Sequence, residues 1–90
     1  MLVEIGLFLG DQLLERGVIR ITDHEGIDES EVVSISHCLV NGVAKVELCV
    51  FDGGVQKIKS NLEMPVHESG DWESIELAEY TLAFKCRLNA

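Results

Sequence analysis

The dipeptide Asn41-Gly42 is the feature that most restricts how this chain can fold. It separates two runs rich in β-branched residues, "EVVSISHCLV" and "VAKVELCVF", and Asn-Gly is the sequence most typical of a two-residue hairpin turn. Such a turn fixes the register and pairs Val40 with Val43. Counting outward gives one largely apolar face, made of the pairs Leu39 with Ala44, His37 with Val46, Ile35 with Leu48 and Val33 with Val50. This agreement predicts a hairpin at the centre of an antiparallel sheet.

The histidine and the two cysteines of this hairpin do not form a shared site. Cys38 and Cys49 lie on the polar face, about 13 Å apart at the usual rise of a strand, which is too far for a disulfide or a common zinc ion. His37 points to the opposite, apolar face, so we interpret it as a half-buried histidine of the sheet. The chain has three cysteines at irregular spacing, which favours free thiols in a reducing compartment.

The segment "FDGGV" predicts a second hairpin directly after the first. A three-residue loop over 52–54 pairs Phe51 with Val55 and keeps Ile58 on the apolar face. A two-residue loop would instead place lysine side chains on that face. We therefore predict the three-residue loop, with the third strand ending before Pro65.

The N-terminal segment is predicted to form a helix over residues 3–16. Its apolar residues recur at roughly helical spacing, "LLER" contains good helix formers, and Gly17 is placed to end the helix. The alternative is a strand over 3–9, where apolar residues also alternate. Gly6 and Gly10 favour that alternative, because each costs about 1 kcal/mol in a helix.

The chain as a whole is predicted to be one globular α+β domain spanning residues 1–90. The helix packs on one face of an antiparallel sheet of four or five strands, and the alternative is an all-β fold if 3–9 form a strand. The predicted strands are a short one over 18–22, the meander 31–40, 43–51 and 55–64, and a C-terminal strand over 80–88. Residues 23–31 and 66–79 are predicted to be a polar loop and an acidic connector.

The balance of charge limits the classes of partner. Sixteen acids against seven bases give a formal net charge of −9, which opposes binding to nucleic acid or to anionic membranes. A basic protein fits this charge better. The N-terminus has no cationic start and no apolar run long enough for a secretory signal, so we expect a cytoplasmic protein.

Two acidic segments are the candidate binding surfaces. The competing interpretation of each segment is a solvated loop. The competing interpretation of Trp72, the only tryptophan, is a lid packed over the core. The spacing in "DHEGIDESE" does not match an EF-hand. Phe51 joins the candidates as part of a small apolar group with Val32 and Val55. The candidate partner-binding residues are Asp23, Glu25, Asp28, Glu29, Phe51, Asp71, Trp72 and Glu73.

No catalytic or metal-binding motif occurs in the sequence, so we expect neither an enzyme nor a bound cofactor or metal. The function predicted is that of a small acidic protein–protein interaction module of the inhibitor, immunity or accessory type. One alternative is a homo-oligomeric structural or assembly component, such as a homodimer. The other is a small-ligand or metal-binding domain with a pocket near His37, Tyr80 and Cys86.

Overall fold

In a computed structural model that describes residues 1–68 and 70–88, the chain forms eight β-strands and no helix. The strands are β1 (Leu2–Leu9), β2 (Gln12–Arg20), β3 (Gly26–Glu29), β4 (Val33–Val40), β5 (Val43–Asp52), β6 (Val55–Pro65), β7 (Glu73–Leu77) and β8 (Tyr80–Arg87). They make two four-stranded antiparallel sheets, ordered β2-β1-β8-β7 and β3-β4-β5-β6. The predicted α+β class is therefore wrong, and the all-β alternative is correct.

The chain divides into two compact units. The terminal unit contains Met1–Arg20 and the residues from His67 onward, and the central unit contains Ile21–Val66. Each unit contains one of the two sheets. The single-domain expectation stays a prediction.

The predicted helix over 3–16 is instead a β-hairpin formed by β1 and β2. Leu9 pairs with Gln12, and the turn between them begins with Gly10, whose φ of 59° is favourable for glycine. Val3, Ile5 and Leu7 are all buried, as expected when apolar residues alternate along a strand. A helix over 3–16 would have to accommodate Gly6 and Gly10 in its interior, whereas the hairpin uses Gly10 in its turn.

The terminal sheet buries one face of β1 and β8. Strand β8 confirms the predicted C-terminal strand, with Tyr80, Leu82, Phe84 and Cys86 buried. Leu88, the last residue of the strand predicted over 80–88, follows the end of β8 and is 43% exposed. Across the sheet the buried pairs are Val3 with Cys86, Ile5 with Phe84 and Leu7 with Leu82.

The register of the central hairpin is confirmed at every predicted pair from Val33–Val50 to Val40–Val43. Asn41 and Gly42 both have positive φ, 51° and 77°, as a type I′ turn requires. The apolar face predicted for this hairpin is the buried one. Its buried side chains are Val33, Ile35, His37, Ala44, Val46, Leu48 and Val50, joined by Met64 of β6.

The predicted three-residue loop between β5 and β6 is wrong. Asp52 pairs with Val55 across a two-residue turn in which Gly53 and Gly54 have φ of 57° and 83°. The register then shifts, so that Val50 pairs with Ile58 and Lys57 is an extra residue in β6. Because of this bulge, Ile58 lies on the same face as the buried Val50 despite the shorter loop, and Lys57 and Lys59 are exposed.

Short strands replace several segments predicted as irregular. The polar loop 23–31 contains β3, and the acidic connector 66–79 contains β7. The strand predicted over 18–22 is the end of the longer β2. Strands β3 and β7 are the outermost strands on one side of their sheets, where a half-exposed strand tolerates polar side chains.

The turn between β7 and β8 carries a residue in an unfavourable conformation. Ala78 has a φ of 56°, which costs an L-residue with a side chain roughly 1–2 kcal/mol. We expect Ala78→Gly to raise the free energy of unfolding by about 0.5–1 kcal/mol, measured by urea denaturation, because the relief exceeds the extra entropy of glycine in the unfolded chain. Ser74→Gly, at an exposed strand position without positive φ, is the control and is expected to lower stability. A loss in both variants would contradict the prediction.

Candidate functional site

The structure divides the predicted partner-binding residues between the two units. Asp71 and Trp72 lie directly before β7, and Glu73 is its first residue, so this group belongs to the terminal unit. Asp23, Glu25, Asp28, Glu29 and Phe51 belong to the central unit. Phe51 is half-buried, and its backbone N–H donates to the carbonyl of Val32 at 2.7 Å.

A groove of about 350 Å³ lies in the terminal sheet beside Trp72. Apart from Ile5, the strand residues that form it alternate with the buried ones, which places their side chains on the opposite face of the sheet. The groove draws on three strands and on the segment before β7. Its lining residues are Ile5, Gly6, Phe8, Leu13, Arg16, Trp72 and Ala83.

Small residues form the floor of this groove. Gly6 of β1 pairs with Ala83 of β8 on one side and with Arg16 of β2 on the other. A Cβ atom at Gly6 would lie 3.2 Å from Phe8 Cε2 and 3.6 Å from Leu13 Cδ1. The ring of Phe8 therefore packs directly over Gly6, where a Cβ atom would crowd it.

Trp72 forms a wall of the groove and remains 47% exposed. Its backbone N–H donates to Asp71 Oδ1 at 2.8 Å, so the Asp71 carboxylate is turned toward its own chain. Glu73 Oε2 lies 3.3 Å from His67 Nε2. Local contacts of both flanking acids thus hold the segment that presents the tryptophan.

His37 lies where the sequence placed it, on the buried face of the central sheet, and is only 6% exposed. Its Nε2–H donates to Asp28 Oδ2 of β3 at 2.7 Å, while Nδ1 is buried without a hydrogen-bond partner among the described residues. Gly26 pairs with His37 across β3 and β4. These contacts tie the short strand β3 to the sheet, which gives His37 and Asp28 a structural role.

The other acids of the central unit are exposed or paired with lysines. Asp23, Glu25 and Glu29 are exposed. On the exposed face of the sheet, Lys45 Nζ lies 3.0 Å from Glu63 Oε1 and Lys59 Nζ lies 3.5 Å from Glu47 Oε1. Within residues 1–68 and 70–88, no group of three His, Cys, Asp or Glu side chains is arranged to hold a metal ion.

Sequence reasoning identified Trp72 but missed the rest of the groove. Gly6, Phe8, Leu13 and Arg16 were assigned to a helix, which separates Phe8 from the other three and gives no reason to bring any of them to Ala83 or Trp72. The usable signal was the alternation of β1, in which Gly6 lies between the buried Ile5 and Leu7 and Phe8 follows Leu7. Only the pairing of β1 with β2 and β8 brings these positions to Trp72.

No protein-family model, curated protein or solved structure matches this chain. In the part of the chain that the structure describes, no helix has the length and apolar character needed to cross a membrane. The inference of function therefore depends on the geometry of the groove and its surroundings.

Proposed function

We propose that this chain is a small non-enzymatic protein-binding module whose contact surface is the groove beside Trp72. The observation that carries the proposal is a half-exposed tryptophan in the wall of an open apolar groove. Tryptophan is enriched among the residues that dominate the binding energy of protein interfaces. A small domain rarely leaves its largest apolar side chain in water without such a use.

The exposed apolar side chains on this face support the proposal. Leu13, Val18 and Trp72 are 44%, 59% and 47% exposed, and the register places Leu13 and Val18 on the same face as Gly6. Burying apolar surface contributes about 25 cal/mol per Å², so a partner covering these residues would gain binding energy from them. Exposed apolar groups gathered on one face indicate an interaction site more strongly than single exposed apolar residues do.

Binding of a basic protein to the acidic segment 23–31 stays a separate prediction. Its exposed carboxylates, Asp23, Glu25 and Glu29, are available to a basic protein, as the net charge of −9 suggested. The groove, rather than this segment, carries the proposal, because charged loops of an acidic protein are most often simply solvated.

Site-specific photo-cross-linking tests the proposed surface. A benzophenone amino acid replaces Trp72 or Leu13 in the groove, and the control replaces Val55, which is 59% exposed in the central unit. In a lysate of the source cells we expect adducts of one shared mass from positions 72 and 13 and none of that mass from position 55. Mass spectrometry of the adducts provides the measurement.

Competition sharpens this experiment. Excess unlabelled wild-type protein should suppress the adducts, whereas excess Trp72→Ala should not. Equal adducts from all three positions, or none from the groove, would contradict the proposal. An adduct of twice the mass of the chain would instead assign the surface to self-association.

A further inference from the structure

The face that carries the groove has a different charge from the rest of the chain. The register of the terminal sheet places four bases and two acids on this face. The bases are Arg16, Arg20, Lys85 and Arg87, and the acids are Glu4 and Glu76. A chain with a net charge of −9 therefore presents one face with an excess of positive charge.

One of these bases lines the groove, and a second lies near it. Arg16 lines the groove and is exposed, and among the described residues it forms no ion pair. Lys85 follows Phe84, the partner of Glu73, so it lies at the level of Trp72 on the neighbouring strand. Lys85 likewise forms no ion pair within the described part of the chain.

Three acids near the groove have local contacts, and a fourth, Glu76, lies on the same face opposite Thr81. Glu4 Oε1 lies 3.6 Å from Arg87 Nη2 on the same face. Asp71 accepts the backbone N–H of Trp72, and Glu73 lies beside His67. Of the charged groups on this face, the guanidinium of Arg16 is the one that lines the groove itself.

We infer that the groove takes a segment of a partner protein in which one apolar side chain is flanked by carboxylates. This inference rests on the proposed function and specifies the chemistry of the partner. The apolar side chain enters between Phe8, Leu13 and Trp72 above the floor of Gly6 and Ala83. The flanking carboxylates pair with Arg16, whose planar guanidinium suits carboxylate recognition, and with Lys85.

The net negative charge of the chain does not override this local arrangement. At physiological ionic strength the screening length is about 8 Å, so exposed carboxylates beyond that distance contribute little at the groove. Bases in direct contact with the ligand are screened much less. The chemistry of the groove rim, rather than the total charge, decides which partner binds there.

Trp72 is the only tryptophan in the chain, so its fluorescence reports directly on the groove. The probes are two acetylated and amidated pentapeptides, one with leucine between glutamate pairs and one with leucine between lysine pairs, titrated to millimolar concentration. We expect the acidic peptide to shift the Trp72 emission and to bind about tenfold more tightly than the basic one, a ratio that corresponds to about 1.4 kcal/mol. Added salt should reduce this preference.

Matched variants distinguish the effect of a charge at the groove on binding from the effect of the net charge of the chain. Arg16→Glu should weaken binding of the acidic peptide at least about fivefold, whereas Lys57→Glu makes the same change of net charge on β6 and should leave it unchanged. Arg16→Gln removes the charge without reversing it and should give a smaller loss. Circular dichroism confirms that each variant is folded.

Equal or tighter binding of the basic peptide, no response to the acidic peptide, or equal effects of Arg16→Glu and Lys57→Glu would each overturn the inference. An emission shift that depends on protein concentration alone would assign the groove to a second copy of the chain and would overturn it as well. Cross-linking at Trp72 without a preference for the acidic peptide would leave the proposed function standing. A preference for the acidic peptide without cross-linking at Trp72 would support the inferred groove chemistry and contradict binding of a cellular protein.

Discussion

Truncation of Leu48 to alanine is expected to lower the free energy of unfolding by about 2–5 kcal/mol. Leu48 lies on β5, an inner strand of the central sheet, pairs with Ile35 and Ser60, and is 0% exposed. Removing most of its side chain loses the buried apolar surface and leaves a cavity that the surrounding strands fill only in part. Urea denaturation followed by circular dichroism measures the change.

Leu13→Ala is the matched control for this experiment. Leu13 is 44% exposed in the groove, so the same chemical change should cost less than about 1 kcal/mol. Equal losses at the two positions would show that Leu48 is not buried as described. The control also has a use of its own, because it alters the groove while leaving the protein folded.

The second large effect is expected from Gly26→Ala. An added Cβ would lie 2.6 Å from Cε1 of His37, a distance that real Cβ atoms essentially never show. The ring has little freedom to move, because it is buried and its Nε2 is 2.7 Å from Asp28 Oδ2. Either β3 moves away from β4 or the hydrogen bond is lost, and we expect a cost of about 1–3 kcal/mol in the free energy of unfolding.

A double-mutant cycle identifies the cause of this cost. In a His37→Ala background the ring is gone, so Gly26→Ala should cost less than about 0.5 kcal/mol. Gly17→Ala provides the control for glycine replacement in a strand, because a Cβ there would meet nothing within 4 Å. A cost of Gly26→Ala that persists without the His37 ring would refute the steric explanation.

The parts of the fold that the sequence predicts correctly are those whose turns have a characteristic dipeptide. Asn41-Gly42 satisfies the positive φ angles of a type I′ turn at both positions, and so the register of β4 and β5 followed residue by residue. Gly10-Asp11 is a weaker signal, and "LLER" after it favours a helix in isolation. The pairing of β1 with β8, across more than seventy residues of sequence, decides in favour of the strand.

The bulge and the groove show a second limit of sequence reasoning. Counting from a turn assumes an unbroken ladder, and the extra residue Lys57 changes the register by one without altering the hydrophobic pattern. Gly6, Leu13, Trp72 and Ala83 meet only through long-range pairings. The composition likewise determines the net charge, but it does not show on which face of the terminal sheet the bases lie.

The bulge in β6 also affects how the protein behaves toward other copies of itself. Strand β6 has eleven residues and, among the strands of the described residues, pairs only with β5, so its other side is an open edge of that sheet. Long, flat edge strands are templates for edge-to-edge aggregation. The extra residue Lys57 bends the strand, and the exposed charges of Lys57 and Lys59 lie along it. We therefore expect the bulge that changed the register also to lower the tendency of β6 to pair with other copies of the chain.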